Sequence, residues 1–310
     1  PWARHKTGRW QTLLTALFNG ATPMAMGLCL VKPAAMGAAT VVWLNGGPVF
    51  RRQRPRDQDL ASLDGYLKGL KDHLSSFPGP LLRLNAETPM DVDAQLLLRQ
   101  SGFLRPPMPL GTGLTYLLDL TKSLDDIKES LERNWRNQLN RSEKSSPVVT
   151  TGRDRALLER YLPLHNALCR RKKLKAQELT LPRLEAMVQD LGENIVFFVL
   201  SSQGRDGCGG ALWTFGGKGW FALSCADDWG LKLNLPNAMY WHAIRLLKDQ
   251  GASQLDLTGI DPAANWGVFN FKRGLNAAPV EVLGEWEWSP SDWRRRAFNA
   301  ALWLWRDRLA

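Results

Sequence analysis

Residues 194–226 read NIVFFVLSSQGRDGCGGALWTFGGKGWFALSCA. Apolar and alternating runs broken by Gln-Gly and Gly-Gly spell strand, turn, strand, turn, strand, an antiparallel meander. Downstream, PNAMYWHAIRLLKDQG (236–251) reads as a helix ending at Gly251, and SQLDLTGI (253–260) as the strand after it. Upstream, LTYLLDL (114–120) and VVTTG (148–152) are strands flanking a helix over 123–144, with Ser123 as N-cap and Asp126 three residues on. Helices are expected over 155–174 and 181–192.

Before the proline-rich joint RPPMPLGTG (105–113), the same kinds of element occur in a similar order. Strands are read in 21–33 and 38–50, and in 79–89 after a helix whose Leu60, Leu63, Tyr66, Leu67 and Leu70 share one face. A second helix, 90–103, closes at Gly102. No residue-level repeat is visible, yet two successive α/β units of similar size suggest a duplicated fold. The ending SPSDWRRRAFNAALWLWRDRLA (289–310) is a basic amphipathic helix offering Trp293, Phe298, Leu302 and Trp305 to one face. It is expected to pack on the first unit, with contact at the inner membrane surface as the rival role.

The 310 residues are 44% hydrophobic and 23% charged, enough for a sizeable core and against disorder. A net charge of +10 and a pI near 9.7 favour polyanionic partners: nucleic acid, a nucleotide-linked substrate or an anionic lipid surface. Cys29, Cys169, Cys208 and Cys225 form no C-x-x-C pair, and no His stands at ligand spacing. Neither a metal site nor a disulfide framework is therefore expected, and a cytoplasmic location fits best. The apolar stretch Met24–Leu44 is interrupted by Lys32-Pro33 and falls short of a membrane span.

After the strand at 253–260 comes GIDPAANWGVFNFKRGL (259–275), where Lys272 and Arg273 follow Trp266, Phe269 and Phe271. A lysine in such apolar company acts on a nearby anion with less screening than in water.

Taken in order, NWRNQLNRSEK, GGKGWFALSCADD, AMYWHAIRLLKDQGASQLDLTGID, GVFNFKRGL and VEVLGEWEW resemble the Fem family of peptidoglycan-bridge aminoacyltransferases. WARHKTGRW and VVWLNGGPVF are similar to that family's early segments. The resemblance implies two tandem GNAT-like acyltransferase domains, each a mixed, mostly antiparallel sheet flanked by helices. The first would span 1–113, with 282–310 returning to it, and the second 114–281. It also implies transfer of an amino acid from aminoacyl-tRNA, the co-substrate, to an amine of a peptidoglycan precursor, with no other cofactor.

By the same resemblance Lys272 stabilises the oxyanion and Phe271 stands beside it, available to stack on the terminal adenine. Lys6 matches a lysine that contacts the precursor's diphosphate. Trp220, with Phe221, stands where a tyrosine is frequent. The candidates for a base that frees the attacking amine are Asp256, Asp261 and Glu285, Asp261 also being a substrate contact. Arg136 and Arg141 on one helix, and Arg273, are candidate RNA contacts. The helix LTLPRLEAMVQ lacks the tyrosines that hold the precursor in the family, which leaves the acceptor open. Two other readings keep the fold: an acyl-CoA-dependent transferase acting on an envelope polysaccharide or lipid, and a noncatalytic RNA- or envelope-binding module. Against the former, DDWGLKLNLPN (227–237) lacks a glycine-rich pyrophosphate cradle.

Overall fold

A computed structural model describes residues 10–50, 56–174 and 177–309, with the side chains of 56–58 and 305–309 left aside. Lys6 and the segment 1–9 lie outside the described residues. The chain divides into two compact units, one built from residues before 115 together with those from 280 onward, the other from Thr115–Pro279.

In the first unit β1 (Gln11–Asn19), β2 (Thr22–Ala34) and β3 (Ala39–Asn45) form an antiparallel meander, with β4 (Val49–Phe50) pairing β2. Helix α1 (Arg56–Leu74) then crosses over, so that β5 (Pro80–Pro89) runs parallel to β3. α2 (Val92–Gln100) starts at Asp91, whose carboxylate accepts from the Ala94 N–H, and Gly102 follows it at φ 80°. β12 (Ala278–Trp288) pairs antiparallel with β5, and α10 (Asp292–Leu309) follows. The core lies between α1 and one sheet face, with Leu63, Leu67, Leu70 and Leu74 packed on Cys29, Val42, Leu44 and Leu84. Tyr66 reaches over Gly27, where a Cβ would lie 2.1 Å from its hydroxyl oxygen.

Sequence reading leaves β1 unassigned. Its inward Leu13 and Leu17 alternate with outward Leu14 and Phe18, so both faces are apolar and the period-two signal is lost.

The other face of β5 and β12 carries a buried ionic network. Arg83 donates to Glu287, to Glu285 Oε2 (3.2 Å) and to Asn299 Oδ1 (3.1 Å). Asn299 returns a hydrogen bond to Glu287 Oε2 (2.7 Å), which fixes α10 on this face. Phe298 and Leu302 are half-buried on α10, whereas Trp293 points outward, away from the face expected to hold it with them and Trp305, whose side chain lies outside the described residues.

The second unit orders its strands β6 (Leu114–Asp119), β11 (Gln254–Gly259), β10 (Lys218–Ala226), β9 (Arg205–Phe215), β8 (Ile195–Ser202), β7 (Val148–Gly152). Every neighbouring pair is antiparallel except β10 with β11, which α8 (Leu235–Asp249) connects. α5 (Arg155–Arg171) and α6 (Leu181–Leu191) bury Tyr161, Leu164, Leu184 and Met187 against β8 and β9. The helix expected over 123–144 is two: α3 (Leu124–Ser130) and α4 (Arg133–Lys144). Between them Leu131 and Glu132 are extended, and the Glu132 N–H donates to the Gly274 carbonyl (3.0 Å), a tertiary bond that outweighs helix continuation.

All four cysteines are buried and free. Among the described residues no cluster of His, Cys, Asp and Glu could hold a metal, and no helix is long and apolar enough to cross a membrane.

Candidate active site

The parallel pairing of β10 with β11 lasts only from Lys218–Trp220 against Gln254–Asp256. Beyond it β10 stays with β9 while β11 bends at an irregularity between Asp256 and Gly259. Where the two strands part, a cavity of about 590 Å³ opens at their carboxyl ends. Its walls include Phe221, Ser224 and Cys225 from β10, Tyr240 from α8, Thr258 from β11, and Phe271 and Lys272 from α9 (Trp266–Arg273). Arg171, Lys172 and the first turn of α8 also border it, and among the described residues no Asp or Glu lines it. Lys172 and Lys272 thus bring positive charge to the wall, while Arg171 is paired with Asp228 (3.0 Å).

The ammonium of Lys272, 5% exposed, donates to the Gly259 carbonyl (2.9 Å), the Thr258 carbonyl (3.2 Å) and the Thr258 hydroxyl (3.3 Å). These acceptors converge because Thr258 sits at φ 63°, a left-handed conformation costly for a β-branched residue. Asp256 holds it there. Its Oδ1 accepts from the Thr258 N–H (2.8 Å) and the Thr115 hydroxyl (2.6 Å), while Oδ2 pairs with Lys218 (2.9 Å). Asp256 is absent from the cavity wall, and its carboxylate is occupied by these bonds. The carboxylate offered by the sequence as a base thus holds the Thr258 turn beneath Lys272 and does not face the cavity.

Burial pushes the Lys272 ammonium down to about 8, and the negative charge of Asp256 offsets part of that. At pH 7 the group is therefore mostly cationic. If its charge stabilises the reacting carbonyl, turnover falls as pH rises through about 8, because the cation is lost there. Asp256→Asn removes the offsetting anion, so the falling limb moves to lower pH. A pH–rate profile of both proteins checks this, and coincident limbs contradict it.

Phe271 meets Tyr240 edge-on, with centroids 5.0 Å apart, and Tyr240 stacks flat on Phe221 at 3.9 Å. Trp135 of α4 braces Phe271 from behind and fills the space over Gly274, where a Cβ would lie 2.6 Å from the indole. Sequence reading stressed Trp220, but strand alternation turns it away from the cavity, where Lys218 lies over its ring at 4.9 Å. Phe221 is the residue that faces in.

The other candidates are scattered. Asp261 turns the loop after β11, accepting from the Ala263 and Ala264 N–H groups. Glu285 belongs to the first unit, where Arg83 and the Leu110 and Gly111 N–H groups (2.6 and 2.7 Å) bind its carboxylate, so its role there is structural and not that of a base. Arg136 donates to the Glu129 carbonyl, Arg141 is exposed on α4, and Arg273 pairs with Glu132 at 3.3 Å. Thr258, Tyr240 and Trp135 were not singled out from sequence, since only the fold brings them to Lys272 and Phe271.

Residues 129–273, ending one position past Lys272, match the family described as Acetyltransferase (GNAT) domain. The chain is similar to the crystal structure of FemX with a TM-score of 0.82 at 15% identity, covering 96% of this chain and 93% of that one. It has a Fem-like GNAT fold. Within that fold, the separating strands β10 and β11 and the cavity between them fall inside the segment matched as a GNAT domain.

The C-terminal domain (DUF2156) of a putative lysylphosphatidylglycerol synthetase from Agrobacterium fabrum is similar at TM-score 0.58 and 10% identity, over 94% of this chain and 88% of that one. L-PGS from Bacillus licheniformis is similar at TM-score 0.57 and 13% identity, over 96% and 88%. No curated protein matches the sequence.

Proposed function

We propose that this protein transfers an aminoacyl group from the 3′ end of a charged tRNA to an amine of a peptidoglycan precursor. The observation that carries the reading is a buried, cationic Lys272 at the wall of a cavity that no carboxylate lines among the described residues. An ester is already activated toward an amine, so the site's main task is to stabilise the charge that develops on the carbonyl oxygen. A fixed ammonium in a poorly screened cavity does that. The amine nitrogen bonds to the ester carbon, the carbon–oxygen bond to the ribose breaks, and the nitrogen's proton ends on the departing ribose hydroxyl.

Phe271, edge-on to Tyr240, offers a ring face of the kind that stacks on a terminal adenine. Arg133, Arg141 and Lys144 share the exposed face of α4, suited to RNA phosphates, while Trp135 and Leu139 occupy its buried face. The likeness to FemX supports this reading, and the likeness to the domain of a putative lysylphosphatidylglycerol synthetase extends it to a lipid-linked acceptor. A membrane-linked precursor is therefore included among the acceptors.

The test incubates the protein with charged tRNA and a panel of nucleotide-linked and lipid-linked muropeptides. Transfer that RNase abolishes is the expected result. Transfer from acyl-CoA without RNA would overturn the reading and favour the CoA-dependent alternative, consistent with the acetyltransferase description of the matched domain.

A further inference from the structure

Among the described residues, the first unit presents an exposed apolar surface on the sheet face that carries α10. Residues of β1 and β2 that point toward α1 pack on the core, Cys29 fully buried and Leu13 and Leu17 partly so. Those on the opposite face are not: Leu14 is 66% and Phe18 58% exposed, with Met26, Leu28 and Val49 also open to solvent. The pairings Leu14 with Leu28 and Met26 with Val49 make these side chains one continuous patch. Following the strand pairings, Leu30, Trp43, Arg83 and Glu287 share that face. α10 packs there through Asn299, so the hairpin patch and α10 lie on the same side of the sheet.

The outward side of α10 extends the pattern. Trp293 (68% exposed), Ala297, Ala300 and Leu304 (70%) follow one another along the helix, with Arg296 on the flank. Lys32 lies over the Trp10 ring at 5.6 Å at the edge of the hairpin face. The described charge beside it is net positive: Arg294, Arg295 and Arg296 of α10 stand against the single acid Asp292, which pairs with the last two.

We propose that this face is a docking surface for an anionic phospholipid bilayer, with the hairpin patch entering the acyl boundary and Trp293 and the arginines at headgroup level. Nucleic acid would use the cations but leave Leu14, Phe18 and Leu28 exposed. A bilayer interface uses aliphatic, tryptophan and basic groups together. The proposed contact is interfacial, made by these exposed side chains.

The proposal does not depend on the transfer reaction and is tested without substrate. The full chain is sedimented with phosphatidylcholine vesicles with and without phosphatidylglycerol. Binding to the anionic vesicles that rising salt weakens is expected. Phe18→Ser and Trp293→Ser should each weaken it about tenfold, and Arg296→Glu should reduce the preference for phosphatidylglycerol. Circular dichroism and melting like the wild type confirm that these exposed substitutions leave the fold intact. Lys272→Met should bind vesicles normally, which separates docking from transfer. No binding at low salt, or binding that Phe18→Ser and Trp293→Ser leave unchanged, would overturn the proposal. So would a dimer that these variants dissociate without any change in vesicle binding, since a second copy would then be the occupant.

Discussion

Lys272→Met lowers the transfer rate by about 10²–10³, the range found when one oxyanion donor is removed. The loss falls on kcat, because the carbonyl is neutral in the bound ester and becomes charged only on the way to the tetrahedral intermediate. The variant is also expected to lose the falling limb of the pH profile near 8, which belongs to this ammonium.

Stability moves differently. The folded pKa of about 8 lies below the ordinary lysine value of 10.5, so burying the cation costs stability below about pH 8. That cost fades as pH rises from there toward 10.5. Methionine removes it, offsetting the loss of a donor to Thr258 and Gly259. At pH 7 the melting temperature should therefore hold or rise while activity disappears. A variant that is inactive because it has unfolded, or one that remains active, contradicts the assignment.

Arg83→Met destabilises the first unit by about 3–5 kcal/mol, the usual result of removing one partner from a buried ion pair. Arg83 is 2% exposed and faces two carboxylates, Glu285 and Glu287, both buried. The remaining partners are too few to replace it. Arg295 reaches Glu287 only at 3.7 Å, and Glu285 keeps two backbone N–H donors. Asn299 loses its Arg83 bond as well, loosening α10. Chemical denaturation of the variant reads the loss directly, and a midpoint close to the wild type would show that the network contributes little.

Much of the architecture was legible because single elements carry their own signals. The meander from Ile195 to Ala226 has turn residues at both corners, and α2 carries its capping aspartate and closing glycine. The site was legible in part. Lys272 and Phe271 stand in one short segment and could be singled out together, and burial of the lysine fits the aromatic company around it.

What failed depends on long-range geometry. Trp220 and Phe221 are adjacent in sequence, and only strand parity decides that Phe221 faces the cavity. Glu285 looks like any acid near a reactive lysine until Arg83, about 200 residues earlier, takes its oxygen. Thr258 shows nothing unusual in the sequence. Its left-handed backbone follows from an irregular strand pairing and from the bond to Asp256. The break before α4 likewise depends on Gly274, which lies far along the chain.

The central claim is that the Lys272 ammonium meets the oxygen of the reacting ester carbonyl. It is tested most directly by titrating the Lys272 side-chain nitrogen by NMR in ¹⁵N-lysine-labelled protein, with Lys272→Met to assign the signal. The titration is run with and without an adenosine-linked phosphonate that mimics the anionic tetrahedral intermediate. The account predicts a midpoint near 8 in the free protein, moving upward when the phosphonate binds, because an adjacent anion favours the ammonium. A midpoint that stays fixed with the phosphonate bound, or binding that Lys272→Met leaves unchanged, would contradict it.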